Sequence, residues 1–447
     1  MPRRMLILGL VVTTLTLPVW AGESAADRGR KALLEKIYNP AVWSPEAYAD
    51  VWKRWPGVTE KPADYDRVVQ DYYGLHPAPY PNAGLPMGLR EGWRLIAKGI
   101  SVDCMICHGG SILGQSYVGL GNTTLDIEAL FADLNGAQGL PPRTPFRFCN
   151  VRGTSEAGGM GVYLLGYRNP DLSLRPQRLD LGLQDDLCED VPAWWLLKKK
   201  KTMYHTGGAD ARSVRSIMQF MMSPTNGLPA FEKAEADFAD ILEYFLTIDP
   251  PKYPFAIDAA LAAKGKTLFS QNCSRCHGSY GSDGSYPNKV IPLEEVGTDR
   301  HRYDGISQTF SHYYAKTWFA QAELGGKGPP RPPKETVGYQ APPLDGVWAT
   351  APYFHNGCAP TVYHVLNSKA RPKVFTRSYR TAAEDYDTTR LGWRFREVPP
   401  PAATLPVIER RKVYDTTQPG RGNGGHTFGD ALTDAERMAV IEYLKTL

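Results

Sequence analysis

The chain has 447 residues, of which 42% are hydrophobic and 22% are charged, with 51 Lys and Arg against 47 Asp and Glu. This length and composition are typical of a globular chain of two or three domains, and they exclude a disordered tail and a disulfide-stabilised mini-scaffold. The formal net charge of +4 is too small to suggest nucleic acid as a partner. Abundant glycine and proline, 43 and 37 residues, predict long irregular connections.

Residues 1–21 are predicted to be a secretory signal peptide. Arg3 and Arg4 precede a short apolar run over 5–17, and small residues follow at the positions that a signal peptidase reads. The run is about half of the roughly 20 residues that a membrane span needs, and no later segment is apolar enough to span. An uncleaved anchor is the alternative. We therefore expect a periplasmic or secreted protein that does not span the membrane, with its cysteines in an oxidising compartment.

The rest of the chain is predicted to form an extension and two modules. Residues 22–84 are rich in Trp, Tyr and Pro, which indicates an N-terminal extension wrapped over the first module. Three prolines at 250–254 cannot continue a helix and mark a boundary. The modules are then expected over 85–249 and 255–447.

Two copies of the pattern C-x-x-C-H account for four of the seven cysteines. Two thiols at this spacing on one helical turn can add to the two vinyl groups of a haem, and the adjacent histidine then faces the iron as proximal ligand. A thioredoxin-like pair would not need this histidine, and a zinc site would need further Cys or His nearby. We predict two covalently attached c-type haems, held by the thiols of Cys104, Cys107, Cys273 and Cys276 and the proximal ligands His108 and His277.

Helices are expected around each motif. They are predicted before the motifs, over 89–101 and 257–271, and at the module ends, over 241–248 and 440–447. The last helix opens with the sequence of a capping box at 433–436. Helix, haem motif, long loop and closing helix is the order of a cytochrome c domain. The predicted fold class is therefore mainly α, with two cytochrome c-like haem domains and long irregular loops.

His426 is the predicted distal ligand of the second haem. It lies in the glycine-rich segment 422–429, where glycines let the main chain approach a flat macrocycle, and it precedes the closing helix. A plain loop histidine is the alternative. Four other histidines are expected only to pack in the core or at the surface, namely His76, His301, His312 and His364.

Residues 351–357 read A-P-Y-F-H-N-G and resemble a segment of the bacterial di-haem cytochrome c peroxidases, which ends in A-P-Y-x-H-[DN]-G. Residues 286–299 and the G-H-x-F-G around His426 resemble more closely the di-haem rubber oxygenases and their relatives. The resemblance covers most of the second module. In the first module it rests on the haem motif and on residues 191–224. It implies haem-dependent chemistry of the peroxidase or oxygenase type.

Two departures from the peroxidase pattern concern axial ligands. The peroxidases carry a distal methionine just before the A-P-Y-x-H segment, where this chain has Gly338 and Tyr339, and this absence supports His426. They also place a histidine after the first motif, whereas this chain has no histidine from 109 to 204. The first haem is therefore expected to be open to a small molecule, or capped by Met160.

Residues 194–222 resemble the stretch that supplies distal-pocket groups in the peroxidases. The resemblance implies that His205 and Gln219 hydrogen-bond a bound peroxide or dioxygen, and that His205 moves a proton at neutral pH. A surface histidine and an ordinary helical glutamine are the alternatives. The lysine run 198–201 indicates a solvated face, or a patch that steers an acidic partner.

Three cysteines lie outside the haem motifs, and an odd number in an exported chain leaves at least one of them unpaired. We expect a disulfide between Cys149 and Cys188, with Cys358 buried.

These features together predict an exported di-haem c-type oxidoreductase, an enzyme of the peroxidase or oxygenase type. The second haem, ligated by His277 and His426, would transfer electrons, and the first, ligated by His108, would bind or activate peroxide or dioxygen. A redox partner protein, a cytochrome or a cupredoxin, is expected to exchange electrons with it. The alternative is a pure electron-transfer cytochrome in which both irons are six-coordinate, with Met160 as the cap of the first.

Overall fold

The computed structural model describes residues 22–94, 97–141 and 146–447. The predicted signal peptide lies outside these residues. Helices make up 38% of the structure and strands 12%, so about half of the chain consists of irregular connections. None of the described helices is long and apolar enough to cross a membrane.

The α-helices are Ala25–Glu35 (α1), Pro45–Asp50 (α2), Tyr65–Tyr73 (α3), Met105–His108 (α4), Ile127–Ala137 (α5), Ala157–Leu165 (α6), Val214–Met218 (α7), Leu228–Phe245 (α8), Ala259–Asn272 (α9), Ser274–His277 (α10), Leu293–Val296 (α11), His301–Asp304 (α12), Gln308–Tyr314 (α13), Glu323–Gly326 (α14), Val362–Leu366 (α15), Val407–Arg411 (α16) and Asp434–Leu444 (α17). Short 3₁₀ helices include Trp194–Lys198, Gln219–Met221, Val347–Ala349 and Thr427–Gly429.

The strands are short and pair into small separate antiparallel sheets. They are Leu89–Arg94 (β1), Ala97–Val102 (β2), Gly109–Ile112 (β3), Gln115–Val118 (β4), Thr202–Met203 (β5), Ala209–Asp210 (β6), Val290–Pro292 (β7), Gly338–Gln340 (β8), Val374–Thr376 (β9), Tyr386–Asp387 (β10), Gly392–Trp393 (β11), Arg396–Glu397 (β12) and Val413–Asp415 (β13). The sheets pair β1 with β2, β3 with β4, β5 with β6, β7 with β8 and β10 with β11, while β9 lies between β12 and β13.

Two pairs of long helices pack closely, and each contact contains a glycine. Helix α1 packs on α8, and α9 packs on α17. A Cβ atom on Gly29 of α1 would lie 1.9 Å from the carbonyl oxygen of Asp240, and one on Gly265 of α9 would lie 1.8 Å from that of Ala439. Only glycine allows backbones to approach so closely. The two halves of the chain thus repeat one kind of helix–helix contact.

The helix predicted over 89–101 is wrong. These residues form the antiparallel hairpin β1–β2, in which Leu89 lies opposite Val102 and Gly92 opposite Gly99. Each glycine inside a helix costs about 1 kcal/mol relative to alanine, and the pairing of the two strands satisfies the backbone instead. The helix predicted before the second motif is confirmed as α9, and the capping box at Thr433 is also present.

The segment predicted as an N-terminal extension contains a helix of the main core. Helix α1 lies within residues 22–84 and buries Leu33 and Leu34 against α8. Residues 36–103, including the hairpin, separate α1 from the first motif. The helix that packs on α8 therefore comes from the segment expected to be peripheral, while the boundaries at 85–249 and 255–447 remain predictions.

Candidate functional site

The second C-x-x-C-H motif continues directly from helix α9. Cys273 is the C-cap of α9 and the N-cap of the single turn α10. Because this turn follows without a loop, Cys273, Cys276 and His277 all line the same apolar cavity. The thiols and the imidazole are therefore held by one rigid helical segment, as covalent attachment of a haem requires.

A backbone carbonyl fixes the orientation of His277. Its Nδ1 lies 2.8 Å from the carbonyl oxygen of Pro342. Because a carbonyl only accepts, Nδ1 carries the proton and donates, which leaves Nε2 free to bind a metal. Burial lowers the pKa of His277, so the neutral ring, which is the form that binds metals, is favoured.

His426 faces His277 across the cavity. The two ring centres are 6.2 Å apart and the ring planes are inclined by 59°. An imidazole nitrogen binds a transition metal at roughly 2 Å, and the ring centre lies about 1 Å further, so two axial imidazoles on one metal place their centres about 6 Å apart. The observed separation fits one iron between the two rings.

The backbone around His426 is held by hydrogen bonds. His426 has φ of 46° and its N–H donates to the carbonyl oxygen of Val296 at 2.6 Å. The Arg371 guanidinium donates to the carbonyl oxygens of Asn423, at 2.6 Å, and Gly425, at 2.7 Å. Burial lowers the pKa of His426 to about 4, with smaller contributions from His277 and Arg371. The ring of His426 is therefore neutral at neutral pH, and its backbone is held in place.

The glycines of segment 422–429 pack against protein backbone. A Cβ atom on Gly425, which has φ of 72°, would lie 2.1 Å from the carbonyl carbon of Gly297. The sequence predicted that these glycines approach a macrocycle. Instead, at Gly425, the glycine lets the His426 loop dock on the segment after α11, and this docking sets the position of the ligand.

The cavity between His277 and His426 suits a flat apolar group. Its volume is about 250 Å³ and its walls are mostly apolar. Aliphatic side chains along the walls include Leu344, Val347, Val362, Val365, Leu366, Val440 and Leu444. Two thiols, two facing imidazoles and an apolar wall together fit a haem better than a bare metal ion, which would need more polar ligands.

The first motif has a related proximal arrangement. His108 is in the single turn α4, and its ring stacks on Trp194 with centres 4.8 Å apart. Trp194 stacks in turn on Phe245 of α8, at 3.9 Å. Burial lowers the pKa of His108 to about 4, and the nearby Pro192 carbonyl opposes the shift, although Nδ1 of His108 has no hydrogen bond in the described structure. A proline carbonyl thus lies near the proximal histidine at both motifs, a feature that motif reasoning missed.

The residues expected on the distal side of the first haem lie in two places. Met160 is partly buried in helix α6, and a Cβ atom on the next residue, Gly161, would lie 3.8 Å from Oε1 of Gln219. The Gln219 amide donates to the Ser216 carbonyl at 3.1 Å and to the Tyr314 hydroxyl at 3.2 Å. Met160 and Gln219 thus lie on neighbouring segments, and their roles remain predictions.

His205 lines the cavity of the second motif. Its Nε2 lies 2.8 Å from the carbonyl oxygen of Asp190, and its ring centre is 6.2 Å from that of His355. His355, in turn, stacks on Tyr339 at 4.1 Å. The structure therefore places His205 beside the second motif, on the same cavity as His277, and its distal role remains a prediction.

The predicted disulfide between Cys149 and Cys188 is wrong. Both thiols are free and they belong to different buried clusters. Cys149 lies 3.7 Å from Asp126 Oδ1, whereas Cys188 lies 3.6 Å from the Tyr414 hydroxyl. Cys358 is buried, as predicted, in the cluster of Cys188. Sequence spacing could not show this, because the pairing of cysteines depends on tertiary contacts.

The lysine run at 198–201 is only partly a solvated face. Lys198 pairs with Asp249 at 2.5 Å and Lys199 pairs with Asp345 at 2.7 Å, while Lys201 is exposed. Lys200 differs, since it is only 7% exposed and lines the cavity of His277 and His426.

Comparisons with known proteins agree with a haem site in this part of the chain. Residues 338–376 match a family model described as RoxA-like, cytochrome c-like. This segment contains the Pro342 carbonyl that orients His277 and the Arg371 side chain that holds the His426 loop.

Two relatives from Sinorhizobium fredii (strain NBRC 101917 / NGR234) are similar to the chain. The uncharacterized protein y4iM is 28% identical over 299 residues, which are 58% of this chain and 64% of that protein. The uncharacterized protein y4iJ is 28% identical over 266 residues, which are 45% of this chain and 42% of that protein. The chain thus covers less than two thirds of the length of these relatives. The family match supports a cytochrome c of the rubber oxygenase type, which implies a c-type haem and a haem-based redox role.

Proposed function

We propose that the chain is an exported di-haem c-type oxidoreductase, with an electron-transfer site at His277 and His426 and an oxidant-binding site at His108. The substrates proposed for the oxidant-binding site at His108 are peroxide and dioxygen. A periplasmic cytochrome or cupredoxin is the proposed redox partner.

The separation of His277 and His426 carries this proposal. Their ring centres are 6.2 Å apart, so the two imidazoles would hold one iron between them. A haem held at Cys273 and Cys276 supplies one-electron transfer there. The protein keeps both rings neutral by burial, orients His277 through Pro342 and holds the His426 loop through Arg371. An iron with a histidine on each side would exchange electrons without binding substrate.

The sequence that follows the first motif supports the proposed oxidant-binding site at His108. No histidine occurs between 109 and 204. Gln219, the proposed distal group, is a neutral side chain, and its neighbour Phe220 lines a small pocket with Cys104 of the first motif. Neutral donors can orient a small oxidant by hydrogen bonds without occupying the iron.

A short stretch of chain connects the two sites. Trp194 stacks on His108, while its neighbours Ala193 and Leu196 line the cavity of His277. Trp195 donates to the Asp345 carbonyl at 2.9 Å, which fixes this stretch against the second half. We propose that electrons pass between the sites through residues 192–196.

The rival function, a pure electron-transfer cytochrome, depends on Met160 as a cap. The test is rapid mixing of the fully reduced protein with peroxide or dioxygen, followed by optical spectroscopy. We expect fast oxidation in the wild type, and an unchanged rate in Met160→Leu. Met438→Leu, a change in helix α17, is the control. Slow oxidation of the wild type, with fast oxidation of Met160→Leu alone, would establish the rival.

A further inference from the structure

The cavity of His277 and His426 contains a buried cation without a partner. Lys200 is 7% exposed and lines this cavity. Among the described residues, no carboxylate forms an ion pair with it, although its neighbours Lys198 and Lys199 both have one. Burial lowers the pKa of Lys200 to about 8, so the side chain is still mostly charged at neutral pH. An unpaired buried charge is costly, and proteins normally supply a counter-ion.

The ionisable groups around Lys200 do not supply this counter-ion. Glu189 is paired with Arg302 at 2.7 Å, and both side chains are 6% exposed. Asp190 also lines the cavity, but its Oδ1 has no hydrogen bond in the described structure, and burial raises its pKa well above the ordinary value, which disfavours its charged form. Burial lowers the pKa of His205 to about 4, with a smaller contribution from the charge of Arg302 and a still smaller one from that of Lys200. In the described part of the chain, Lys200 is therefore left without an ion pair in this cavity.

A second polar group in the same cavity also lacks a partner. His355 is 8% exposed and lines the cavity, and its Nε2 is buried without a hydrogen bond. Its stacking on Tyr339 and the main-chain bond from Asp190 N–H to its carbonyl at 2.7 Å fix the ring in place. A neutral imidazole N–H that points into a cavity is a donor for a bound acceptor.

We propose that Lys200 and His355 bind the propionate carboxylates of the haem attached at Cys273 and Cys276. This inference rests on the proposed function, because it requires a haem between His277 and His426. A haem carries two carboxylates on one edge, and the pair of an ammonium group and an N–H donor matches them in charge and hydrogen bonding. A bound propionate would thereby neutralise the charge of Lys200. Lys200 and His355 act as positioning residues, since they contact the macrocycle edge and not the iron.

The test is the reduction potential of the low-spin haem in the loaded protein, measured by optical redox titration. Lys200→Met keeps the length of the side chain and removes its charge. Uncompensated propionate then stabilises the ferric state, so the potential falls. We expect a roughly tenfold change in the ferric-to-ferrous ratio at a fixed potential, which is about 59 mV for one electron.

Two further variants separate a local effect from a general one. Lys201→Met removes the same charge one residue away at an exposed position, and we expect almost no change in potential. Lys200→Arg restores a cation and should recover most of the wild-type potential. Equal shifts for the two methionine variants, or no shift in either, would overturn the role of Lys200.

His355→Phe keeps the stacking on Tyr339 but removes the donor, and we expect a smaller fall in potential. Covalent haem content and the low-spin spectrum are recorded for each variant. A wild type without a low-spin haem would contradict the proposed function, whereas an intact low-spin haem with an unmoved potential would contradict only this inference.

Discussion

The Pro342 carbonyl accepts a hydrogen bond from Nδ1 of His277, whereas Nδ1 of His108 has no hydrogen bond in the described structure. Such a bond fixes which ring nitrogen carries the proton and increases the basicity of the other. The histidine that completes the second site, His426, has no such bond in the described structure, and its ring is placed by the backbone around it. The two facing histidines, His277 and His426, are thus held by different means.

Replacing His426 by alanine tests its role as an axial ligand. In His426→Ala we expect a low-spin haem to become partly high-spin and to bind added ligands, because a strong-field imidazole is lost. Haem content should stay close to that of the wild type, since the thiols at Cys273 and Cys276 are unchanged. Optical and paramagnetic resonance spectra measure the effect. His312→Ala, at an exposed position, is the control, and identical spectra for both variants would remove His426 from the iron.

One buried acid, Glu156, should contribute less to the stability of the protein as the pH rises. Burial, with smaller contributions from Glu189 and Asp186, raises the pKa of Glu156 to about 8, although bonds from the Leu187 and Cys188 N–H groups oppose the shift. An acid whose pKa is raised in the folded state stabilises that state below its unfolded pKa and loses this contribution as the pH rises to the folded value.

Glu156 is therefore expected to contribute a decrease in the urea midpoint between about pH 4.5 and about pH 8, against the increase contributed by histidines with lowered pKa such as His108 and His426, and Glu156→Gln should remove this decrease. The difference in urea midpoint between the variant and the wild type should therefore shift in favour of the variant from the acidic to the alkaline end of this range. Glu232→Gln, at an exposed position on α8, should keep the wild-type slope. A wild-type slope in Glu156→Gln would show that other groups cause the decrease.

At the scale of elements, the glycine contact between α9 and α17 determines how closely these helices pack. Gly265→Ala places a Cβ atom 1.8 Å from the Ala439 carbonyl oxygen, so the helices must separate. We expect a loss of about 1–3 kcal/mol in the free energy of unfolding, as is typical of overpacking. Gly161→Ala in α6 is a matched control, because its new Cβ would have its nearest contact at 3.8 Å. Equal stability of Gly265→Ala and wild type would mean that the helices do not pack this closely.

The sequence predicted those elements whose signal is local. Helix α9, the capping box at Thr433 and the helical turn of the second motif follow from short patterns, and all are present. The hairpin β1–β2 differs from the predicted helix, although Gly92 and Gly99 in its sequence argue against a helix.

Long-range features of the site could not be predicted from the sequence in the same way. The burial of Lys200, the position of His205 and the separation of Cys149 from Cys188 depend on which segments meet after folding. A run of four lysines indicates a solvated face on average, and only tertiary packing distinguishes its third member.

In the molecule as a whole, we propose different tasks for two sites that share one chain. Two imidazoles face each other across the second site, whereas the first has one histidine, His108, stacked on Trp194. The stretch from Pro192 to Leu196 touches both. The proposed division of labour therefore requires that the two irons differ in their access to small molecules.

Carbon monoxide binding to the fully reduced protein tests this division most directly. Carbon monoxide binds a ferrous haem only where an axial position is open or weakly occupied. The ratio of bound carbon monoxide to total haem, from an optical titration, is predicted to be one half, with all binding lost from a variant in which Cys104 and Cys107 are both alanine. Binding to every haem, to none, or at a site that survives the loss of the first motif would contradict the account.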